Sequence, residues 1–383
     1  MVCLTTHAAV LNVTSTADST SITSLRGAII HANSTGGNNT IILTNSVYQL
    51  TIVGSDEDAA ATGDLDVKKG SITIIGNAAS PVIINATDLG DRVFQVLTNA
   101  QLTLSNIVVS GGTAPVTNGF ISGGEPGGAI YNAGTLILKN CVVTNNSSGA
   151  GNYGEGNLGG TSGGDGGGIY NIGTLTMTNS VVAGNFSGNG VDGAFGGNGG
   201  GLCNVGICSL TNCLIIGNSG GDGGGPSGNL IGFGGGGGSG GGIYNSGTMT
   251  LKNCAVSGNF SGAGAGGGDP GNAQIGSPGG FGGTGGSGAG IFNAGNLKLN
   301  ACTVNNNATG SGGAGGSFGS GGNPGMGGDG GGIFNAETLA LTNCTISSNA
   351  TGTGGNGGAG TVYAGVMGSR GGDGAGIYNA SSL

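Results

Sequence analysis

The chain has no Trp, only 7 Pro, and aromatic residues make up 4% of it. Charged residues are 7%, against a norm of roughly 25%. Each shortage excludes a class. Collagen requires Pro-rich triplets with Gly at every third position, and neither is present. A disordered polyelectrolyte tail requires charge. A nucleic-acid binder requires a basic face, and here 8 Lys and Arg stand against 17 Asp and Glu. No apolar run approaches the roughly 20 residues of a membrane span. Nor does Met1-Val2-Cys3-Leu4 open a signal peptide, whose apolar core needs about 7–15 residues; a clipped start is the expectation. His7 and His31 are the only two His.

Gly is abundant instead: 98 of 383 residues. Eight lie in residues 1–110 and the other 90 in residues 111–383. The chain thus divides into an N-terminal part, 1–110, holding a cap and the first coils, and a Gly-rich repeat part, 111–383. Within the latter Ile130-Tyr131-Asn132 recurs, giving an Asn column of Asn132, Asn171, Asn204, Asn245, Asn293 and Asn335. Nine residues after each Asn stands Cys141, Ser180, Cys213, Cys254, Cys302 or Cys344, and five further on another Asn, from Asn146 to Asn349. These intervals are constant while the Gly-rich remainder varies, as stacked coils with variable arms require. The last module breaks off at Leu383, so the repeat reads as truncated in a seventh module.

Inside the module Leu136, Leu138 and Val143, and their equivalents in later repeats, alternate with polar residues. Period two specifies strands with one buried face. A single module cannot enclose a core, so neighbours must stack. The expected fold is all-β: a parallel β-helix with Gly-rich loops, whose handedness these residues do not fix. An Asn usually precedes the Cys column, where it can adopt left-handed conformation and turn the chain. Ser71–Gly76, Pro81–Asn85 and Val93–Leu97 read as earlier strands, and Ile107 occupies the Cys column. Ser24 to Asn33 reads as one amphipathic helix capping the open end. The Gly-rich arms carry little apolar surface to offset the entropy of ordering Gly, so they read as solvated loops. The alternatives are polyglycine-like strands laid side by side, or a second turn of solenoid.

Several clusters could carry chemistry. The Cys replace apolar residues at apolar positions and read as core; an internal disulfide is the alternative. Asp56, Glu57, Asp58, Asp64 and Asp66 form the densest acidic cluster, a weak candidate for calcium through hard oxygen ligands and otherwise a solvated loop; no other cofactor is indicated. Asp165, Asp329 and Asp373 each precede a Gly-rich triplet and Ile, as in Gly/Asp calcium repeats, but out of register; a turn-forming role fits better, because Asn198, Ser239 and Ser287 fill the same slot. Asp88, Asp91 and Arg92 are the best local catalytic trio.

Asn12 to Asp18, then Ser24-Leu25-Arg26-Gly27-Ala28-Ile29 and Ala32-Asn33, resemble the N-terminal domain named for its C-S-L-R-E-A motif, with Thr23 in place of its Cys and Gly27 in place of its Glu. Gly63-Asp64-Leu65-Asp66 and Asp91 to Val96 are similar to it as well. The repeats resemble the pectin-lyase-like β-helix superfamily, whose usual form implies a right-handed β-helix, and Gly127-Gly128-Ala129-Ile130 is similar to the repeats of polymorphic outer-membrane proteins. The resemblance implies export and a cell-surface or extracellular location but no defined activity; glycan or protein partners are expected from the Asn, Thr, Ser, Tyr and Phe of the exposed faces. Because the repeats hold few charges, the expected function is a non-catalytic adhesin-like surface protein binding multivalently. A polysaccharide lyase or hydrolase of the same superfamily is the alternative. An ice-binding protein is a second, motivated by the outward Thr135, Thr174, Thr248 and Thr338.

Overall fold

A computed structural model describes residues 8–55, 57–116, 123–153, 159–226, 232–269, 278–317, 320–360 and 365–381. Among these, three all-parallel sheets of nine, ten and nine strands run the length of the molecule. Each coil adds one strand to each sheet, so the fold is a parallel β-helix. In one coil Ile130–Asn132 enters the first sheet, Thr135–Lys139 the second and Val142–Thr144 the third. Every strand pairs with its counterpart one repeat on: Ile130 with Ile169, Leu136 with Leu175 and Val143 with Val182. The stack passes without a break into the N-terminal part, where Val108 pairs with Val142.

The inward residues close one continuous core. Leu136, Leu138, Val143, Leu175, Met177, Leu251 and Val304 are all fully buried. Cys141, Cys213, Cys254 and Cys302 are buried among them, Cys344 on a late coil is half-buried, and all five thiols are free. Each Sγ in the column donates to the carbonyl two residues earlier, as Cys254 does to Lys252 at 3.3 Å.

Ladders satisfy most of the polar groups inside the stack, with Asn132 Oδ1, at the head of one ladder, left without a protein partner. Asn132 donates through its amide to Asn171 at 2.6 Å, Asn171 to Asn204 at 2.7 Å, and the column continues through Asn245, Asn293 and Asn335 to Asn379. A second buried ladder runs from Asn146 through Asn185, Asn218, Asn259 and Asn307 to Asn349. Unpaired, each buried amide would cost about 1–3 kcal/mol, so the ladders pin the register of two corners. The third corner is the left-handed turn: Asn140, Asn179, Asn212, Asn253 and Asn343 have φ of 49 to 54°, and Ala301 adopts 53° in the same slot. On the outer face of the first sheet Tyr244, Phe292, Phe334 and Tyr378 stack at 4.7 to 5.2 Å between ring centroids.

The helix α1 spans Leu25–Thr35 and covers the open end with Leu25, Ala28, Ile29 and Ala32. Ser24 caps it by accepting the Gly27 N–H at 3.2 Å. It runs two residues past the sequence expectation because Asn33 does not end it. The Asn33 side chain instead donates to the Asp66 carbonyl at 2.7 Å and accepts the Lys68 N–H at 2.9 Å, tying the cap to the first coil.

The Gly-rich loops leave each coil between the third and first sheets, but they are not solvated strings. Each consists of an outgoing and a returning arm, and the arms of successive coils lie side by side. Ser261, Gly264 and Gly267 donate to Ala308, Ser311 and Ala314 of the next outgoing arm. Gly262, Ala265 and Gly268 donate to Gly238, Gly235 and Gly232 of the preceding returning arm. Gly280, Gly283 and Gly286 donate back to Gly268, Ala265 and Gly262. A three-residue period with no bonds inside the segment is the signature of the polyproline II helix. The polyglycine-like alternative therefore describes the arms, and the physical reason is hydrogen bonding. Each arm spends two of its three faces on neighbours, which requires close backbone approach. A Cβ on Gly238 would lie 1.8 Å from the Gly197 carbonyl oxygen.

The third face of each arm points outward, and there the residues other than Gly collect. On returning arms one such column is Asp165, Asn198, Ser239, Ser287, Asp329 and Asp373. Each side chain accepts the N–H of the next member, from 2.6 to 3.1 Å, capturing the donor that the array leaves over. These bonds join residues 33 to 48 apart in sequence, so Asp165, Asp329 and Asp373 link successive coils rather than forming the local turns expected of them.

Candidate functional site

The densest polar site lies where the cap meets the first coils. Arg26, fully buried on α1, pairs with Asp18 at 2.7 Å and donates to the carbonyls of Ala60 at 3.0 Å, Gly63 at 2.8 Å and Asp64 at 3.3 Å. It thereby holds the acidic segment against the cap. Gly63 has φ +56°, and a Cβ there would stand 2.4 Å from the Gly54 oxygen and 2.6 Å from an Asp91 carboxylate oxygen. Only Gly permits the segment to approach Asp91 so closely.

Within this frame Arg92, 7% exposed, is surrounded by acceptors. Its Nη1 donates to Gln95 Oε1 at 2.7 Å and lies 3.5 Å from Asp64 Oδ2, while Nη2 pairs with Glu125. The guanidinium carbon sits 5.6 Å from the centroid of the Tyr131 ring. Gln95 in turn donates to Asp58 at 3.1 Å. These groups line a cavity of about 210 Å³. Burial pushes the Asp64 carboxyl well up, with the Asp66 and Asp91 charges adding to it and Arg92 opposing. Burial raises Asp66 to about 7 against the opposing Ala60 N–H. Asp91 also rises through burial, with Arg92 pulling it down.

The structure brings together some of the residues singled out by sequence and separates others. Glu57, Asp58, Asp64, Asp91 and Arg92 share the cavity. Asp56 lies outside the described residues. Asp66 turns to the Ala60 N–H at 2.9 Å, and Asp88 is exposed on the surface away from Arg92. Among the described residues, which leave out Asp56, no three His, Cys, Asp or Glu converge on a possible ion position. Several of the oxygens are already engaged, while Asp66 Oδ1 is buried without a protein partner. Glu57 accepts the N–H groups of Ala59 and Thr62, Asp66 that of Ala60, and Asp64 faces Arg92. The catalytic trio is likewise divided, since Asp88 does not reach the cavity. Two partners escaped the sequence reading. Glu125 is distant in sequence from Arg92 and carries no motif, whereas Asp18 and Arg26 both stood in the quoted N-terminal motif without being read as a pair.

A locked guanidinium and proton-holding carboxyls suit a structural joint. The cavity is also smaller than the roughly 300 Å³ at which ligand pockets begin. The other candidate surfaces are the repeated faces. The second sheet presents Thr174, Thr176, Thr248 and Thr250 outward and exposed, interrupted by Ile207, Asn296 and Lys298. The arms present Phe195, Phe233, Phe281 and Met367, from 46 to 87% exposed, with Phe233 and Phe281 rings 5.3 Å apart.

No protein-family model matches the chain, and no curated protein matches it in sequence. Two solved structures resemble it in part. The crystal structure of pectate lyase Pel9A has a TM-score of 0.39 and 12% identity over 90% of this chain and 77% of that one. ORF18 of Geobacillus virus E2 has a TM-score of 0.36 and 10% identity over 91% of this chain and 62% of that one. Neither likeness bears on the chemistry of this chain.

Proposed function

We propose that this chain is a non-catalytic, adhesin-like repeat protein, exported to the cell surface or beyond it, that binds glycans or proteins multivalently. We further propose that residues 12–33 are a degenerate form of the domain named for its C-S-L-R-E-A motif. The observation that carries the reading is the outward third face of the arms. Side chains of varied kind project from it at every coil, so weak contacts add through effective concentration. Exposed aromatic and Met residues on such a face favour recognition over simple solubility.

The enzyme alternative is less well supported. Catalysis by acid and base needs free ionisable groups in one accessible cleft, and Arg92 is already bonded to Gln95 and Glu125. The ice-binding alternative draws on the exposed Thr ranks, but Ile207, Asn296 and Lys298 break their regularity. A polysaccharide panel read for both binding and product release tests the proposal. Binding without products is expected. Release of unsaturated or reducing ends, abolished by Asp91→Ala, would overturn it in favour of a lyase or hydrolase. Thermal hysteresis lost on Thr174→Leu or Thr248→Leu would overturn it in favour of ice binding.

A further inference from the structure

A groove of about 580 Å³ runs along the outgoing arms across four successive coils, with Val116, Ser147, Phe186, Asn189, Ser219 and Asp222 among its lining. Its first column continues beyond it: Thr113, Ser147, Phe186, Ser219, Phe260 and Ala308 are bridged in parallel, coil to coil. Phe186 and Phe260 are each 52% exposed. They stand two coils apart, about 9.6 Å at the usual strand spacing of about 4.8 Å, with Ser219 between them.

Resting on the adhesive reading above, we propose that this groove binds a neutral linear polysaccharide of equatorially linked pyranoses lying along the stack axis. Four observations select that chemistry. The volume falls within the roughly 300–1,000 Å³ of ligand sites. Half-exposed rings at a two-coil interval match alternate sugars of an extended chain, whose apolar faces stack on aromatic rings. Ser147, Ser219, Asn189 and Asp222 stand beside Phe186; the two Ser hydroxyls donate to the Ser148 and Gly220 carbonyls, and Asn189 Oδ1 and Asp222 Oδ1 each accept one N–H, which leaves acceptor lone pairs for sugar hydroxyls. Asp222 is the one charge among the lining residues described, so an anionic chain would meet repulsion and no cation. A peptide adding as a strand is disfavoured, because the arm N–H groups it would need are already used. Ser147 donates to Gly112, Ser148 to Phe186, Phe186 to Asn146 and Gly220 to Phe260.

Calorimetric titration of the full chain with cellohexaose, chitohexaose and hexagalacturonate tests the site. The two neutral hexamers are expected to bind and hexagalacturonate to fail. Phe186→Ala and Phe260→Ala should each weaken the neutral hexamers about tenfold, the loss of one ring stack. Val53→Ala, exposed in the N-terminal part and outside the groove lining, should leave affinity unchanged. Both Phe are half-exposed, so the variants should melt as the parent does. No neutral binding at millimolar concentration, equal binding of hexagalacturonate, or unchanged affinity in Phe186→Ala each overturns the groove. If the Phe186→Ala, Phe260→Ala protein still adheres to polysaccharide-coated surfaces, the groove alone has failed. If hexamers are cleaved, the adhesive reading itself has failed.

Discussion

Each coil consists of two halves held together in opposite ways. In the β-helical half, side chains such as Leu210, Leu251 and Leu299 fill the interior, and apolar burial dominates at about 25 cal/mol per Å². In the arm half there are almost no side chains to bury. Gly262, Gly283 and Gly286 instead lie backbone against backbone. The comparison teaches that a Gly-rich segment can be ordered when its peptide groups are saturated by neighbours. The β-helix makes this possible by setting successive coils at the strand spacing of about 4.8 Å, so every arm meets the next one already in register. The entropy of ordering Gly is then offset cooperatively along the stack.

The comparison breaks most severely in the sheets. Leu251→Asp places a carboxylate between Leu210 and Leu299 with no partner, and should cost more than about 4 kcal/mol. Urea denaturation would show the neighbouring coils unfolding with it. A variant as stable as the parent would mean the core is not closed there.

A smaller loss is expected in the arms, and it should depend on face. Gly238→Ala forces a methyl to 1.8 Å from the Gly197 oxygen and should cost about 1–3 kcal/mol. Gly225→Ala meets nothing within 4 Å and should be neutral, or stabilising by up to about 1 kcal/mol through the unfolded chain. Equal effects at the two positions would return the arms to the solvated-loop description.

That distinction marks where the sequence became hard to read. Period-two alternation and the constant intervals from Asn132 to Cys141 to Asn146 led directly to the strands, the register and the buried Asn column, because side chains carry that information. The arms are held by peptide groups, which every residue possesses, so their order left only an indirect trace. The trace is local G-G-X phasing: Phe281, Thr284 and Ser287, or Asn323, Met326 and Asp329, are the outward positions of a three-residue helix. Averaged over the chain this period disappears, because the turns shift its phase between arms. The polar site was half legible for a similar reason. Asp91 and Arg92 are neighbours in sequence, but Glu125 reaches Arg92 only through coil stacking.

The cap should respond to pH. Burial holds Asp66 at about 7, with Asp64 and Asp91 also raised, whereas an unfolded Asp titrates near about 3.9. Between those values the folded state binds more protons, so stability falls as pH rises through about 4 to 7. The melting temperature should therefore be higher at pH 5 than at pH 8, and Asp66→Asn should flatten the slope. A melting temperature that rises over this interval would contradict the buried, proton-holding arrangement.

The mildest change is expected in the thiol column. Ser180 already occupies one of its positions, donating to the Thr178 carbonyl at 2.9 Å and accepting the Cys141 N–H at 3.1 Å. Cys254 makes the same pair of contacts through sulfur, to Lys252 at 3.3 Å and from Cys213 at 3.4 Å. Cys254→Ser keeps both bonds and loses only the larger atom, so it should cost less than about 1 kcal/mol, measured as a small shift of the urea midpoint. The Cys141 and Cys254 thiols should be slow to alkylate in the native state, whereas the hydrogen bond with Cys254 lowers Cys213, which only its burial protects. Cys254 is pushed up to about 11 by its hydrogen bond with Cys213 and by burial, and burial raises Cys141. Cys344, half-buried, should react first. If Cys254 were labelled as fast as Cys344, or if Cys254→Ser were as damaging as Gly238→Ala, the column would have a role beyond filling the core.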